Sequence, residues 1–316
     1  MPTSSLMHPG QLLVTEEQMA ALVAAQFPRW KELPVRACPS DGTENALFRI
    51  GDELVARLPL LGDDADAKRQ EIRREIDAAR RIEGATRVPT PRFAALGEPG
   101  AHYPLPWSVY HWIPGTTATA ADVHDSTAFA EDLAHFVLQV RALDTEGRTF
   151  PGRGRGGVLT AHDDYVAQGL ERSRELIDTH TLGRLWERLR GTPRTEPDTW
   201  THGDLMPGNL LADGGRLAGV IDVGQAGVAD PALDLQPAWN HLGPTAREAF
   251  RLALGADDAA WDRGKGWAFA QAIGCLWYYR ETNPVMSELA RSTLLALIED
   301  EAVPPARRRP TLTPQA

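Results

Sequence analysis

Residues 201–235 read THGDLMPGNLLADGGRLAGVIDVGQAGVADPALDL, and the reading of the whole chain turns on this run. Asp204 and Asn209 stand on a loop that Pro207 and Gly208 break. The Asp213-Gly214-Gly215 turn follows, then an apolar strand-like run over 217–221, with Asp222 directly behind it. Turn residues between two such runs predict a hairpin, and a hairpin brings Asp204, Asn209 and Asp222 together. An Asn and an Asp suit Mg²⁺, which prefers oxygen ligands and binds few protein groups, so that nucleotide phosphates complete its shell. Asp204 is then free to act as a base. Taken singly, the Asp-Gly, Pro-Gly and Asp-Pro pairs are ordinary turn signals, and a lone histidine such as His202 is more often scaffold than ligand. Four polar residues in this order, flanked by apolar strand segments, turn the reading toward catalysis.

HGDLMPGN at 202–209, followed by GVIDVGQAGVADPALDL at 219–235, resembles the signature of the aminoglycoside phosphotransferase family, which has the protein-kinase-like fold. The resemblance implies an α+β, bilobal molecule with a small β-rich N-terminal lobe and a larger helical C-terminal lobe. It implies Asp204 as catalytic base, Asn209 and Asp222 as Mg²⁺ ligands, and His202 as the brace of the catalytic loop. Asp230 and Asp234 resemble a segment that closes the loop and starts a helix, and are read as scaffolding. In kinases an Asp accepts the proton of the acceptor hydroxyl, while an Asn and a second Asp hold the metals that bridge the phosphates.

A chain of 316 residues with 42% hydrophobic content buries a sizeable core, and its length suggests two lobes. A formal net charge of −10 argues against a nucleic-acid partner, which needs concentrated positive charge, and suits a cationic small molecule better. The arginine run at 307–309 reads as a solvated tail. Cys38 and Cys275 form no metal-binding spacing, and without a signal peptide the expected state is reduced and cytoplasmic. No apolar run approaches a membrane span.

Thr15-Glu16-Glu17-Gln18 reads as a capping box, which predicts a helix over 16–26. Strands are expected over 35–38, 46–50 and 54–58 with turns at 40–42 and 51–52, then a helix over 63–81 and strands over 93–96 and 107–112. After 113–115 the pattern becomes helical, with helices expected over 128–143, 163–177 and 182–190. The domain division follows: 1–114 is the nucleotide-binding lobe with its leading helix, and 115–316 is the catalytic and acceptor-binding lobe. GRGRGG at 152–157 follows no strand and lacks the Gly-Lys ending of a P-loop, so it reads as a flexible connector.

Arg57 is the candidate phosphate-side cation, where the kinase fold usually carries a lysine. Only Lys31, Lys68 and Lys265 accompany 30 arginines, and none lies on that strand. Glu75, preferred to Glu71, is its expected partner. Gly42, Thr43 and Asn45 occupy a turn that resembles the family's nucleotide-positioning loop, with a plain hairpin turn as the alternative. His111, Trp112 and Ile113 resemble the hinge that meets the purine base, and the donor is ATP or GTP. For the acceptor, Trp239, Asn240, Trp277, Tyr278, Tyr279, Glu281 and Asn283 supply apolar faces and polar groups, although adjacent aromatics on one helix cannot all face a pocket. Acidic residues would suit an aminoglycoside-like antibiotic and a wide apolar cleft a macrolide; a metabolite kinase is a further alternative. Two other classes compete: a hydrolase with a transition metal on His202, Asp204 and Asp222, and a non-catalytic nucleotide-binding module.

Overall fold

The computed structural model describes residues 8–39, 44–119 and 123–302. The capping box forms as expected. The Thr15 hydroxyl accepts from the Gln18 amide, the Gln18 side chain accepts from the Thr15 amide, and α1 (Glu16–Gln26) begins there. Met19, Leu22 and Val23 on its inner face share a core with Phe48, Ile50, Ala56, Leu58, Trp107 and Val109 of the adjoining sheet.

That sheet contains β1 (Val35–Cys38), β2 (Asn45–Ile50), β3 (Leu54–Pro59), β4 (Phe93–Gly97) and β5 (Trp107–His111) in the order β1-β2-β3-β5-β4. Every neighbouring pair is antiparallel. The predicted strands are found with ends displaced by a residue or so. Between β3 and β4 lies α2 (Ala65–Ile82), whose first amides are satisfied by the Asp64 carboxylate. Ile72, Ile76, Ala79 and Ile82 recur at helical spacing and are buried. Ala79 and Ile82 belong to the core of the C-terminal region, so α2 ties the sheet to the helices.

The C-terminal region carries α3 (Thr127–Arg141), α4 (Asp163–Arg172), α5 (Thr179–Leu189), α6 (Pro244–Leu254), α7 (Asp258–Tyr278) and α8 (Pro284–Ala302), with a single helical turn at Pro237–Asn240. The helix expected over 163–177 ends early, at Arg172. The helix expected from 182 starts at Thr179, because the Asp178 side chain caps it. Two small sheets sit among the helices: β7 (Thr199–Thr201) pairs with β10 (Gly227–Ala229), and β6 (Thr116–Thr117), β8 (Leu210–Asp213) and β9 (Arg216–Val220) form the other. The predicted hairpin is β8–β9. Gly214 and Gly215 turn it with φ of 55° and 75°, a left-handed pair matching the twist of the strands. The mixed α/β architecture is thus a β-sheet N-terminal region followed by a helical C-terminal region. No helix among the described residues is long and apolar enough to cross a membrane.

Candidate active site

The loop between β7 and β8 is held from below by Asp234. Its two carboxylate oxygens accept from the amides of His202 and Gly203, both at 2.8 Å, and the side chain is fully buried. Burial pushes the Asp234 carboxyl up, and His202 with the two amides offsets this only in part. Gly203 has φ +80°, and a Cβ there would lie 2.6 Å from the Gln225 carbonyl oxygen. The loop can cross the chain behind Asp222 only without a side chain at this point. Asp230 accepts from the Ala232 amide, Arg263 Nε and Trp267 Nε1, which makes it a structural carboxylate.

His202 also looks inward. Its Nε2 donates to the Ile221 carbonyl at 3.1 Å, and its Nδ1 faces the Asp204 amide at 3.4 Å. Both ring nitrogens are therefore directed at backbone, and the side chain braces the loop against the end of β9. This removes the histidine that the hydrolase reading required. Among the described residues, no group of three His, Cys, Asp or Glu side chains is placed to hold a metal ion.

Asn209 lies against Asp204, with Nδ2 donating to the Asp204 carbonyl at 2.8 Å and to Oδ2 at 3.1 Å. The Asn209 carbonyl accepts from the Ile221 amide, which sets Asp222 beside the loop. Asp222 takes a left-handed backbone, φ 59°, an uncommon conformation for a non-glycine residue that clusters at functional sites. Its Oδ1 accepts from the Gly224 amide at 3.3 Å and pairs with Arg57 Nη2 at 2.9 Å. With Asn209 Nδ2 engaged, Asn209 Oδ1 and the second Asp222 oxygen are the oxygen donors that fit a hard cation such as Mg²⁺.

Arg57 reaches this carboxylate from β3 and pairs through Nη1 with Glu75 of α2, as the sequence suggested. Tyr110 donates to the same Glu75 oxygen at 3.3 Å. Burial alone would lower the Arg57 pKa, but Asp222 and Glu75 raise it, so the guanidinium stays charged. Burial also pushes Asp222 up, yet Arg57 and its hydrogen bonds hold that carboxyl below the usual range. Glu75 goes the other way, because burial outweighs the pull of Arg57 and the Asp222 charge adds to it.

The structure adds two residues that sequence reasoning missed. Arg155 Nη2 pairs with Asp204 Oδ1 at 3.0 Å and donates to the Gly203 carbonyl at 3.2 Å, while Nη1 donates to Gln236 at 3.3 Å. Gln271 of α7 donates to the same Asp204 oxygen at 2.8 Å. GRGRGG, read as a flexible connector, is instead pinned. The Gly156 carbonyl accepts from the Asp230 amide at 2.7 Å, and a Cβ on Gly156, at φ +108°, would lie 2.5 Å from Ala229 Cβ. The local pattern carries no signal for this, since the contact is made with residues far along the chain.

On the donor side, Gly42 and Thr43 lie outside the described residues, and Asn45 opens β2 opposite Pro59. The His111 and Trp112 amides donate to the Arg92 and Glu53 carbonyls. Close to Asp204 lies a small pocket of about 10 Å³, room for about one water molecule, lined by Met206, Asn240, Gln271, Ala272, Cys275 and Met286, among others. Burial pushes the Cys275 thiol up to about 11, so it is no nucleophile at neutral pH. Of the expected acceptor residues only Asn240 lines this pocket. Trp239 is buried against Trp261 and belongs to the core. Trp277 lies under Arg172, Tyr278 hydrogen-bonds His8, and Glu281 is exposed.

The sequence pattern of the Phosphotransferase enzyme family matches residues 37–267. An aminoglycoside 3'-phosphotransferase of Streptomyces fradiae is 32% identical over 184 residues, 54% of this chain and 67% of that protein. One of Escherichia coli is 43% identical over 61 residues, 19% of this chain and 22% of that protein. Among solved structures, aminoglycoside 2'-phosphotransferase-IIIa superposes with a TM-score of 0.67 at 17% identity, covering 91% of this chain and 100% of that one. A macrolide 2'-phosphotransferase of Brachybacterium faecium gives 0.59 at 21% identity, covering 93% and 100%. The fold is that of the kinase-like phosphotransferases. The chain belongs to the phosphotransferase enzyme family and, within it, to the aminoglycoside phosphotransferases that its loop sequence resembles. It is an enzyme that transfers phosphate to an alcohol group.

Proposed function

We propose that this enzyme transfers the γ-phosphoryl group of ATP or GTP to a hydroxyl of an aminoglycoside-like antibiotic in the cytoplasm. Residues 1–114 serve as the nucleotide lobe and 115–316 as the catalytic and acceptor lobe. The observation that carries this reading is the convergence of Asp204, Asn209 and Asp222 on one loop and hairpin, with the Arg57–Glu75 pair meeting Asp222 from the sheet.

Asp204 orients the acceptor hydroxyl and takes its proton as the new O–P bond forms and the bond to the leaving nucleoside diphosphate breaks. Arg57 offers two guanidinium hydrogen bonds to the donor phosphates, a geometry that a lysine does not provide. Asn209 and Asp222 hold Mg²⁺, which when bound offsets charge on the phosphates. Gly42, Thr43 and Asn45 are assigned to nucleotide binding from the resemblance of their sequence to the family's nucleotide-positioning loop. The purine lies along 111–113, and because the His111 and Trp112 amides are already bonded, Ile113 is left as the amide donor there. His202, Asp230 and Asp234 keep the loop in place. Neighbouring structures of aminoglycoside phosphotransferases hold GDP, kanamycin or gentamicin, which supports a nucleotide donor and a small antibiotic acceptor.

The void beside Asp204 is only about 10 Å³, room for about one water molecule, so its apolar lining does not select between an aminoglycoside and a macrolide acceptor. The test is incubation of the purified chain with Mg²⁺ and ATP or GTP across aminoglycosides, macrolides and other hydroxylated compounds, scored by mass spectrometry. A phosphorylated product names the acceptor class. Asp204→Asn should lower turnover by about 100-fold or more, the usual contribution of a general base, with nucleotide binding retained. Near-normal turnover by that variant would sink the base assignment.

A further inference from the structure

Asp204 is held asymmetrically. Oδ1 accepts from Arg155 at 3.0 Å and from Gln271 at 2.8 Å, whereas among the described residues Oδ2 accepts only from Asn209, at 3.1 Å. A carboxylate oxygen offers about two lone-pair sites, so Oδ1 is filled and Oδ2 keeps one. The two donors on Oδ1 come from distant parts of the chain, 155 and 271, and both side chains converge on the same atom. Arg155 cannot drift from it easily: its guanidinium also bonds the Gly203 carbonyl and Gln236. Its backbone is fixed one residue later, where Gly156 packs on Ala229 and bonds the Asp230 amide.

We propose that Arg155 is a positioning residue for phosphoryl transfer: together with Gln271 it anchors Asp204 Oδ1, which presents Oδ2 to the acceptor hydroxyl. The proposal rests on Asp204 being the base. The acceptor proton passes to Oδ2 as the hydroxyl oxygen bonds to the γ-phosphorus and the bridging oxygen leaves with the nucleoside diphosphate. Arg155 touches neither reacting oxygen; it acts through the carboxylate.

The experiment compares Arg155→Met, Arg155→Gln and Arg155→Lys with the unaltered chain, using Mg²⁺-ATP and whichever of kanamycin or erythromycin is turned over. If neither is, water serves as acceptor in ATP hydrolysis. Arg155→Met should lower kcat by about 10-fold or more, since a displaced base loses much of its contribution, with the KM for ATP unchanged. The KM for the acceptor should also stay unchanged, since Arg155 is bonded to the carboxylate and to the loop rather than to either substrate. Arg155→Gln should lower kcat to a similar degree, and Arg155→Lys, which restores a cationic donor, should recover part of kcat. An unchanged kcat in folded Met and Gln variants, or a fall in kcat that the Lys variant does not recover at all, overturns the proposal. If Arg155→Met unfolds the ledge, the Gln variant, which keeps a donor but no charge, still decides the question. Asp204→Asn separates the two levels of the argument. If it is active, the base assignment itself is wrong; if it is inactive while the Arg155 variants keep full kcat, only the role of Arg155 fails.

Discussion

Arg57 occupies the place of the usual kinase lysine, and its geometry shows what a guanidinium adds there. Nη1 meets Glu75 while Nη2 meets Asp222, so one side chain bridges α2 and the carboxylate that follows β9. An ammonium is a point charge on a flexible stem and holds two such partners less rigidly. Arg57→Lys should therefore fold, with the KM for ATP raised by about 10-fold through loss of a two-bond phosphate contact. Arg57→Met leaves two largely buried carboxylates without their cation, and thermal or chemical unfolding should record a loss of about 3 kcal/mol or more. The two carboxylates respond to acid in opposite ways. Asp222 has a depressed folded pKa, so its contribution is present above the ordinary carboxylate range and is lost only as pH falls through that lower value. Glu75 has a raised folded pKa, so it takes up its proton first on acidification. The Arg57–Glu75 pair was expected from the resemblance to the kinase arrangement, whereas spacing alone left Glu75 and Glu71 equally open. That Arg57 also meets Asp222 was not, since no local pattern relates β3 to the hairpin.

Among the elements, the β8–β9 hairpin was read directly from Asp213-Gly214-Gly215 between apolar runs, and it carries Asp222 to the loop that holds Asp204 and Asn209. The loop itself depends on Gly203, whose left-handed backbone lies against Gln225. Gly203→Ala places a methyl 2.6 Å from a backbone oxygen, and the loop must move. Turnover should fall by about 100-fold, the scale of an ångström-sized displacement of a catalytic group, and stability by about 1–3 kcal/mol. Steady-state kinetics with a parallel unfolding curve checks both; full activity in a folded variant would show that the close crossing is not needed. The glycine run at 152–157 is the opposite case. Its composition reads as a connector, and only its contacts with Ala229 and Asp230 make it a ledge for Arg155. The aromatics at the end of α7 are a similar case: residue type makes Trp277 and Tyr278 acceptor candidates, and only the tertiary structure sets Trp277 under Arg172 and Tyr278 on His8.

At the scale of the whole molecule, the sheet with α1 has its own core and the helical region has another, which takes in Ala79 and Ile82 of α2. In the larger core His241 is 3% exposed, and neither ring nitrogen has a hydrogen-bond partner among the described residues. Burial, with a smaller push from His124, lowers its pKa to about 4. The unfolded chain then binds a proton below about 6.5, where the folded chain does not, so stability falls as pH drops through this window and levels off below about 4. Between pH 6.5 and 5 the loss from this one group should be about 2 kcal/mol. His241→Leu should flatten that part of the curve in chemical denaturation; an unchanged slope would assign the acid sensitivity to other groups.

The sequence by itself determined the two-part layout, the elements of the N-terminal sheet, the hairpin, and the loop with Asp204, Asn209 and Asp222. Each of these is written in short-range signals: a capping box, a two- or 3.6-residue period, a turn pair, a spacing within one motif. Only the tertiary structure decided that Asp204 is clamped by Arg155 and Gln271, that Asp234 holds the loop amides, and that Trp239 is core rather than pocket. Those contacts join residues tens of positions apart. Charge, burial and a glycine's bare Cα acquire their meaning there only when packing brings the partners within a few ångströms.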